Sequence, residues 1–203
     1  MPEKLPEVRL VLPDTGVLIS LAHGNLLDIL LGFAKKVRME VTDVVAFEAT
    51  RKADNFDARR IEDFFLRHGS LITVRQTSFR DYLEALKKNP DEARIPNIGE
   101  LSIYGVINEL RNDEPGIPTL VLFEDSWFVR NQVYRPTSTH LLSLVAFLKY
   151  VEKVVPGFSC EGAIAAIRNT RPNMALIDFE SPGLNEAAGI ETAWESAYRP
   201  GSR

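Results

Sequence analysis

Two rhythms of apolar residues alternate along the chain. Short aliphatic runs, such as VRLVL at 8–12 and TLVLF at 119–123, have the length and branching of strands buried on both faces. Between them, apolar side chains return at three- or four-residue intervals, the spacing of helices that bury one face. The first run predicts a strand over 8–12 and passes through Pro13, Asp14 and Thr15 into a helix over 15–22, with Val17, Leu18 and Leu21 on one face. Gly24 and Asn25 break that helix, and LLDILLGFAKK predicts another over 26–36 with its lysines at the favourable C-terminal end. VRMEVTDVV predicts a second strand over 37–45, after which AFEATRK opens a helix. DARRIEDFFLRH predicts a helix ending at Gly69 as a C′ cap, and SLITVRQ a third strand. SFRDYLEALKK predicts a helix stopped by Asn89 and Pro90, NPDEARIP a loop, and NIGELSIYGVINELRN an amphipathic helix leading to the fourth strand at 119–123.

Strands that alternate with helices predict an α/β fold in three layers, a largely parallel central sheet covered on both faces. After about residue 135 the pattern changes. THLLSLVAFLKYVEKV and SCEGAIAAIRN predict two helices, and the tail after them carries Trp194 and Tyr198 among Gly and Pro. The expected organisation is therefore a domain over 1–135 with a helical extension and C-terminal arm over 136–203. A helix over 141–151 that is apolar on nearly every face must be covered by the chain's own core or by another subunit, which makes a homodimer an expectation.

With 45% apolar and 26% charged residues, the composition is that of an ordinary folded protein. A formal charge of −4 leaves no global basic field, so any nucleic-acid contact must be local. Cys160 is the only cysteine, which excludes an intramolecular disulfide and a cysteine-built zinc cluster and fits a reducing, cytoplasmic location. The histidines His23, His68 and His140 lack the spacing of a metal motif. No membrane span or export segment is expected.

The chemistry rests on carboxylates. Each has a plain structural use: Asp14 as a helix N-cap, Glu100 closing a capping box on Asn97, Glu48 paired with Lys52, and Asp125 capping a helix that begins at Ser126. Their placement together suggests more. Asp14 and the Glu124–Asp125 pair end predicted strands, Glu48 follows the second strand, and Glu100 opens the helix before the fourth. That is one edge of a parallel sheet, the edge where ligands bind at a change of strand order. Carboxylates crowded there raise one another's pKa, a conflict that a divalent cation removes. Mg2+ and Mn2+ favour carboxylate oxygens and retained water, and such a site supports in-line hydrolysis of a phosphodiester without any Cys or His.

On LVLPDTGVLISLA around Asp14, VTDVVAFEATR around Glu48, NIGELSIYGVI around Glu100 and TLVLFEDSWFVRNQ around Asp125, the chain resembles the PIN-domain nucleases over about residues 8–132. The resemblance implies a metal-dependent ribonuclease, commonly the toxin of a toxin–antitoxin pair and usually dimeric. It implies catalytic roles for Asp14, Glu48, Glu100 and Asp125, and a Mg2+ or Mn2+ held by Asp14, Glu100, Asp125 and Glu124, with Asp125 preferred to Glu124 for the last position. Thr15, Arg51, Lys52 and Arg130 would then lie near the phosphates of an RNA substrate. The chain is longer than most such toxins, and Glu100 stands where many members carry Asp. The competing expectation is a non-catalytic PIN-like module that binds RNA or protein, its acids serving as caps. A phosphatase using Asp14 as nucleophile is disfavoured because position 16 is Gly where a second Asp is needed, and no Gly-rich phosphate loop is present.

Overall fold

The structure is a computed structural model and describes residues 8–89, 95–131 and 138–181. The arm after residue 181, with Trp194 and Tyr198, lies outside the described residues, as does most of the 89–96 loop. Five strands, β1 (Leu10–Pro13), β2 (Arg38–Thr42), β3 (Ile72–Arg75), β4 (Thr119–Phe123) and β5 (Thr139–Ser143), form one sheet in the order β3-β2-β1-β4-β5. All four pairings are parallel. From β1 the chain steps to β2 and β3 on one side, then returns to β4 and β5 on the other, so the order reverses between β1 and β4.

Helices cover the sheet. They are α1 (Thr15–His23), α2 (Leu31–Ala34), α3 (Asp43–Thr50), α4 (Phe56–His68), α5 (Arg80–Lys88), α6 (Ile98–Asp113), α7 (Trp127–Arg130), α8 (Leu144–Val154) and α9 (Cys160–Thr170). Helices α1, α3 and α4 pack on one another, α9 joins them through α1 and α8 packs on α9, and α6 lies against β2 and meets α3. Right-handed crossovers on either side of the reversal put helices on opposite faces of the sheet. The α/β class with a parallel sheet flanked by helices is thus the one the hydrophobic pattern predicts. Strands β1 and β4 are buried at every position, as central strands covered on both faces must be.

Pro13 has a place in this central strand because β1 and β2 have parted there. Pairing with β2 reaches only Leu10 and Val11, while pairing with β4 continues through Pro13. The Asp14 N–H donates to Leu122 O at 2.9 Å, toward β4, so the preceding nitrogen faces the β2 side, where no ladder bond is lost.

Several boundaries differ from expectation for local reasons. The second strand ends at Thr42 instead of Val45, because the Thr42 hydroxyl accepts the Val45 N–H at 3.1 Å and starts α3. Residues 26–36 give a 3-10 turn at Leu27–Leu30 and the four-residue α2, not one long helix. Gly69 closes α4 at φ −60, in the right-handed region, so it is not a left-handed C′ cap.

The largest correction concerns 136–203. THLLS is a strand, β5, paired along its length with β4; the Ser143 hydroxyl accepts the Ala146 N–H at 3.2 Å and starts α8 there. The sheet and its core continue across residue 135, so the extension is not all-helical and does not form a core of its own. The apolar face of α8 is covered within the chain, for example by Phe147 stacked on Phe33 at 5.5 Å, so the feature that suggested a second subunit is satisfied inside one molecule. Among the described residues, no helix is long and apolar enough to cross a membrane.

A candidate acidic site at the carboxyl edge of the sheet

Asp14 stands at the reversal point, directly after β1. Its Oδ1 accepts the Val17 N–H at 2.7 Å, which makes it the N-cap of α1, and its Oδ2 accepts the Glu124 N–H at 3.1 Å, which ties the ends of β1 and β4 together. The carboxyl is buried, and its pKa is raised to about 8, chiefly by loss of hydration and also by Glu124 and Glu100, against the help of both N–H groups. The cap reading is correct, and it describes only part of what this side chain does.

Glu48, on α3, does not pair with Lys52. Its Oε2 accepts the Thr15 hydroxyl at 2.9 Å, so the residue after Asp14 orients the acid of the next crossover. Glu100, in the first turn of α6, is half-buried. Asn97 has a left-handed φ of 56 and makes no side-chain cap, so the capping box does not form. Burial raises the Glu100 pKa, and the carboxylates of Asp125 and Glu48 raise it further. Glu100 thus feels the charges of both those acids and also acts on Asp14.

Gly99 makes this approach possible. A Cβ there would sit 2.6 Å from Glu48 Oε2 and 3.2 Å from the Thr15 hydroxyl. Without a Cβ, α6 begins against the Thr15–Glu48 pair with no shift of the Glu48 carboxylate.

Glu124 and Asp125 separate sharply. Asp125 is exposed and its Oδ1 accepts the Trp127 N–H at 2.7 Å, capping α7. Glu124 is buried, and its Oε2 accepts the Ser20 hydroxyl at 2.5 Å and the Arg171 guanidinium at 2.6 Å. Its other oxygen lies 3.4 Å from the Ala175 N–H. Arg51, Lys52 and Arg130 are all exposed; Arg130 donates to Ser126 at 2.5 Å.

Sequence reasoning missed three residues here. Arg171 and Ser20 carried no signal, one lying 47 residues from Glu124 and the other hidden on the buried face of α1. Asp43 is a further acid at this edge, buried and fully used: it accepts the Thr77 hydroxyl at 2.7 Å and its N–H at 3.2 Å. The juxtaposition with Thr42 at the strand end was the available clue to its position.

The fit of a divalent cation can be judged from these contacts. Among the described residues no three acidic, His or Cys side chains are grouped closely enough to hold one metal ion together. Among the same residues, no cationic side chain pairs with Glu48, Glu100 or Asp125. The first fact argues against a cage built wholly from protein. The second fits a hydrated Mg2+ or Mn2+, which needs only one or two carboxylates and keeps its remaining ligands as water or phosphate oxygens. Comparison of the chain with protein-family models, with curated proteins and with solved structures finds no match.

Proposed function

We propose that the protein is a Mg2+- or Mn2+-dependent ribonuclease of the PIN type, acting at the edge built by Asp14, Glu48, Glu100 and Asp125. The observation that carries this reading is that, among the described residues, no cationic side chain pairs with Glu48, Glu100 or Asp125 at the carboxyl edge of a parallel sheet, where open α/β folds bind ligands. Glu100 and Asp125 would hold the ion, with Asp14 buried beside them. When bound, such an ion lowers the pKa of its water and screens the charge of a phosphodiester.

The chain's own residues supply the remaining parts. Thr15 fixes Glu48 through Oε2, which leaves Oε1 free to take a proton from an attacking water. Arg51 and Lys52, just beyond Glu48 on α3, and Arg130 after α7 are exposed cations for the backbone of single-stranded RNA. With a net charge of −4, attraction of a polyanion must come from such local cations rather than from the overall field.

A second reading has its own support. The lack of a three-ligand group favours a PIN-like module that binds RNA or protein without cutting. One experiment separates the two: calorimetric Mn2+ titration together with cleavage of a diverse single-stranded RNA pool, for the wild type and Glu100→Gln. The ribonuclease reading expects Mn2+ binding that weakens about tenfold in the variant and cleavage that falls at least about a hundredfold, the rate equivalent of roughly 3 kcal/mol. Mn2+ binding without cleavage would leave the binding module.

A further inference from the structure

We infer that Thr170, His23 and Asp57 form a hydroxyl–imidazole–carboxylate relay that hydrolyses small carboxylic esters. The relay shares no acid with the carboxyl edge of the sheet and needs no metal, so it stands or falls apart from the ribonuclease reading.

Three helix ends bring these residues together. His23 is the last residue of α1, Thr170 the last of α9, and Asp57 lies in the first turn of α4. Helices α1 and α9 meet so closely that a Cβ on Gly24 would stand 2.7 Å from Ile167 Cγ1, one turn before Thr170. The Thr170 hydroxyl lies 2.8 Å from His23 Nδ1, and the other ring nitrogen, Nε2, lies 3.8 Å from Asp57 Oδ2. The second separation is longer than a hydrogen bond, as is common in such relays before substrate binds. Thr170 is exposed, while the His23 and Asp57 side chains are each only 13% exposed, so the nucleophile is open to solvent and its two supports are held.

Asp57 decides which tautomer the ring adopts. A bare Nε2 lone pair facing that carboxylate would be repelled by it, so the proton sits on Nε2 and Nδ1 is left to accept the Thr170 hydroxyl. This is the orientation a general base needs. Burial lowers the His23 pKa, Asp57 opposes the shift, and Arg171 and Arg60 reinforce it, so the ring is mostly neutral at pH 7. Both guanidinium groups therefore act electrostatically on the ring, and an oxyanion forming next to Thr170 meets the same favourable field. Phe56, 44% exposed, stands edge-on to His23 at 4.7 Å and carries Arg60 over its face at 5.4 Å. It offers an aromatic wall, which favours an ester with an aryl group.

In the reaction Thr170 Oγ1 bonds to the ester carbonyl carbon as its proton passes to His23 Nδ1. The carbon–oxygen bond to the alcohol then breaks, and the leaving oxygen keeps the electron pair and takes the proton from His23. Water, deprotonated by the same nitrogen, attacks the acyl-threonine and releases the acid, which restores the Thr170 hydroxyl. Thr170 and His23 are the catalytic residues, and Asp57 is a positioning residue.

The test is hydrolysis of 4-nitrophenyl acetate by the full chain in a chelator, with tandem mass spectrometry to locate any acetyl group. The wild type is expected to acetylate Thr170 in a burst and then turn over. Thr170→Val and His23→Gln should each lower the rate at least about a hundredfold, whereas Thr170→Ser should stay within about tenfold of the wild type. His68→Gln, whose ring faces Asp28 and no hydroxyl, should change nothing. Asp57→Asn should cost about tenfold and move the rising limb of the pH–rate profile to lower pH, because Asp57 raises the His23 pKa; a merely structural role would leave that limb in place. Acetyl transfer to some other residue, a Thr170→Val rate equal to the wild type, or no hydrolysis above buffer would overturn the inference. If Thr170→Val does not fold, the acetylation site in the wild type and the Thr170→Ser rate decide the matter.

Discussion

The molecule keeps acids in two places and treats them in opposite ways. Across β2, β3 and α6, Glu40 is buried but bonded by Arg38 at 3.0 Å and Arg75 at 3.1 Å, and the same two arginines reach Glu114 at 2.8 Å and Glu109 at 3.2 Å. Three carboxylates there meet two guanidinium groups, and the network is close to neutral. At the carboxyl edge, among the described residues, Glu124 pairs with Arg171 while Asp14, Glu48, Glu100 and Asp125 have no ion-pair partner. The difference shows what charge does in each setting. A matched set holds strands and helices in register; an unmatched set is tolerated only where something else bears its cost, and that is the physical mark of a site.

The largest effect that can break this contrast is the pH dependence of the metal-free protein. Asp14 has its carboxyl raised from 3.8 to about 8 by burial, so between these values the folded chain holds a proton that the unfolded chain releases. Stability is therefore full below the unfolded value and falls as pH rises toward the folded one. At about 1.4 kcal/mol per pH unit for one proton, the loss amounts to as much as about 5 kcal/mol. Denaturant unfolding in a chelator at several pH values would show it, and bound Mg2+ should reduce it. A flat profile would mean that the edge carries no electrostatic strain.

Next in size is Arg75→Met. It leaves buried Glu40 with only Arg38 and should cost about 2 kcal/mol in chemical denaturation while leaving Mn2+ affinity unchanged. Smaller and opposite in sign, Glu100→Gln should make the metal-free protein more stable by up to about 1 kcal/mol, because it removes a charge that Asp125 and Glu48 repel. The pair of variants sharpens the contrast directly: one weakens the fold without touching the metal, the other weakens metal binding and strengthens the fold.

The smallest change in stability is expected for Gly99→Ala. Better helix propensity, worth up to about 1 kcal/mol, offsets the loss of the Thr15–Glu48 hydrogen bond, worth a similar amount. Cleavage should nevertheless fall about tenfold, because the new Cβ displaces Glu48 Oε2 from its position. A Glu48 unaffected in cleavage assays of this variant would remove it from the proposed machinery.

The sequence made some of this legible and hid the rest for identifiable reasons. Four strands and the parallel sheet follow from aliphatic runs between helical periods, because burial on both faces leaves no other composition. The fifth strand was hidden because THLL runs straight into an apolar helix, and only the Ser143 cap marks the junction. Thr42 hid the end of β2 in the same way: Val44 and Val45 suit a strand, yet lie in the first turn of α3. The positions of Asp14, Glu100 and Asp125 were readable because they sit at a strand end or a helix start, and that of Glu48 because it lies in the helix that follows β2. Arg171 was not, since a long-range ion pair leaves no local pattern. Glu124 and Asp125 are adjacent and chemically similar in sequence; only burial tells them apart.

The ties that close this edge also set when it exists. The Asp14–Glu124 bond spans 110 residues and the Arg171–Gly16 bond 155, so nearly the whole chain must be made before the ends of β1 and β4 are drawn together. Contacts of such separation form late, because the long loop must first be closed. During synthesis the N-terminal half emerges with its first acids while β4, β5 and Arg171 are still to come. A nascent chain that has not yet released Arg171 therefore cannot complete these ties.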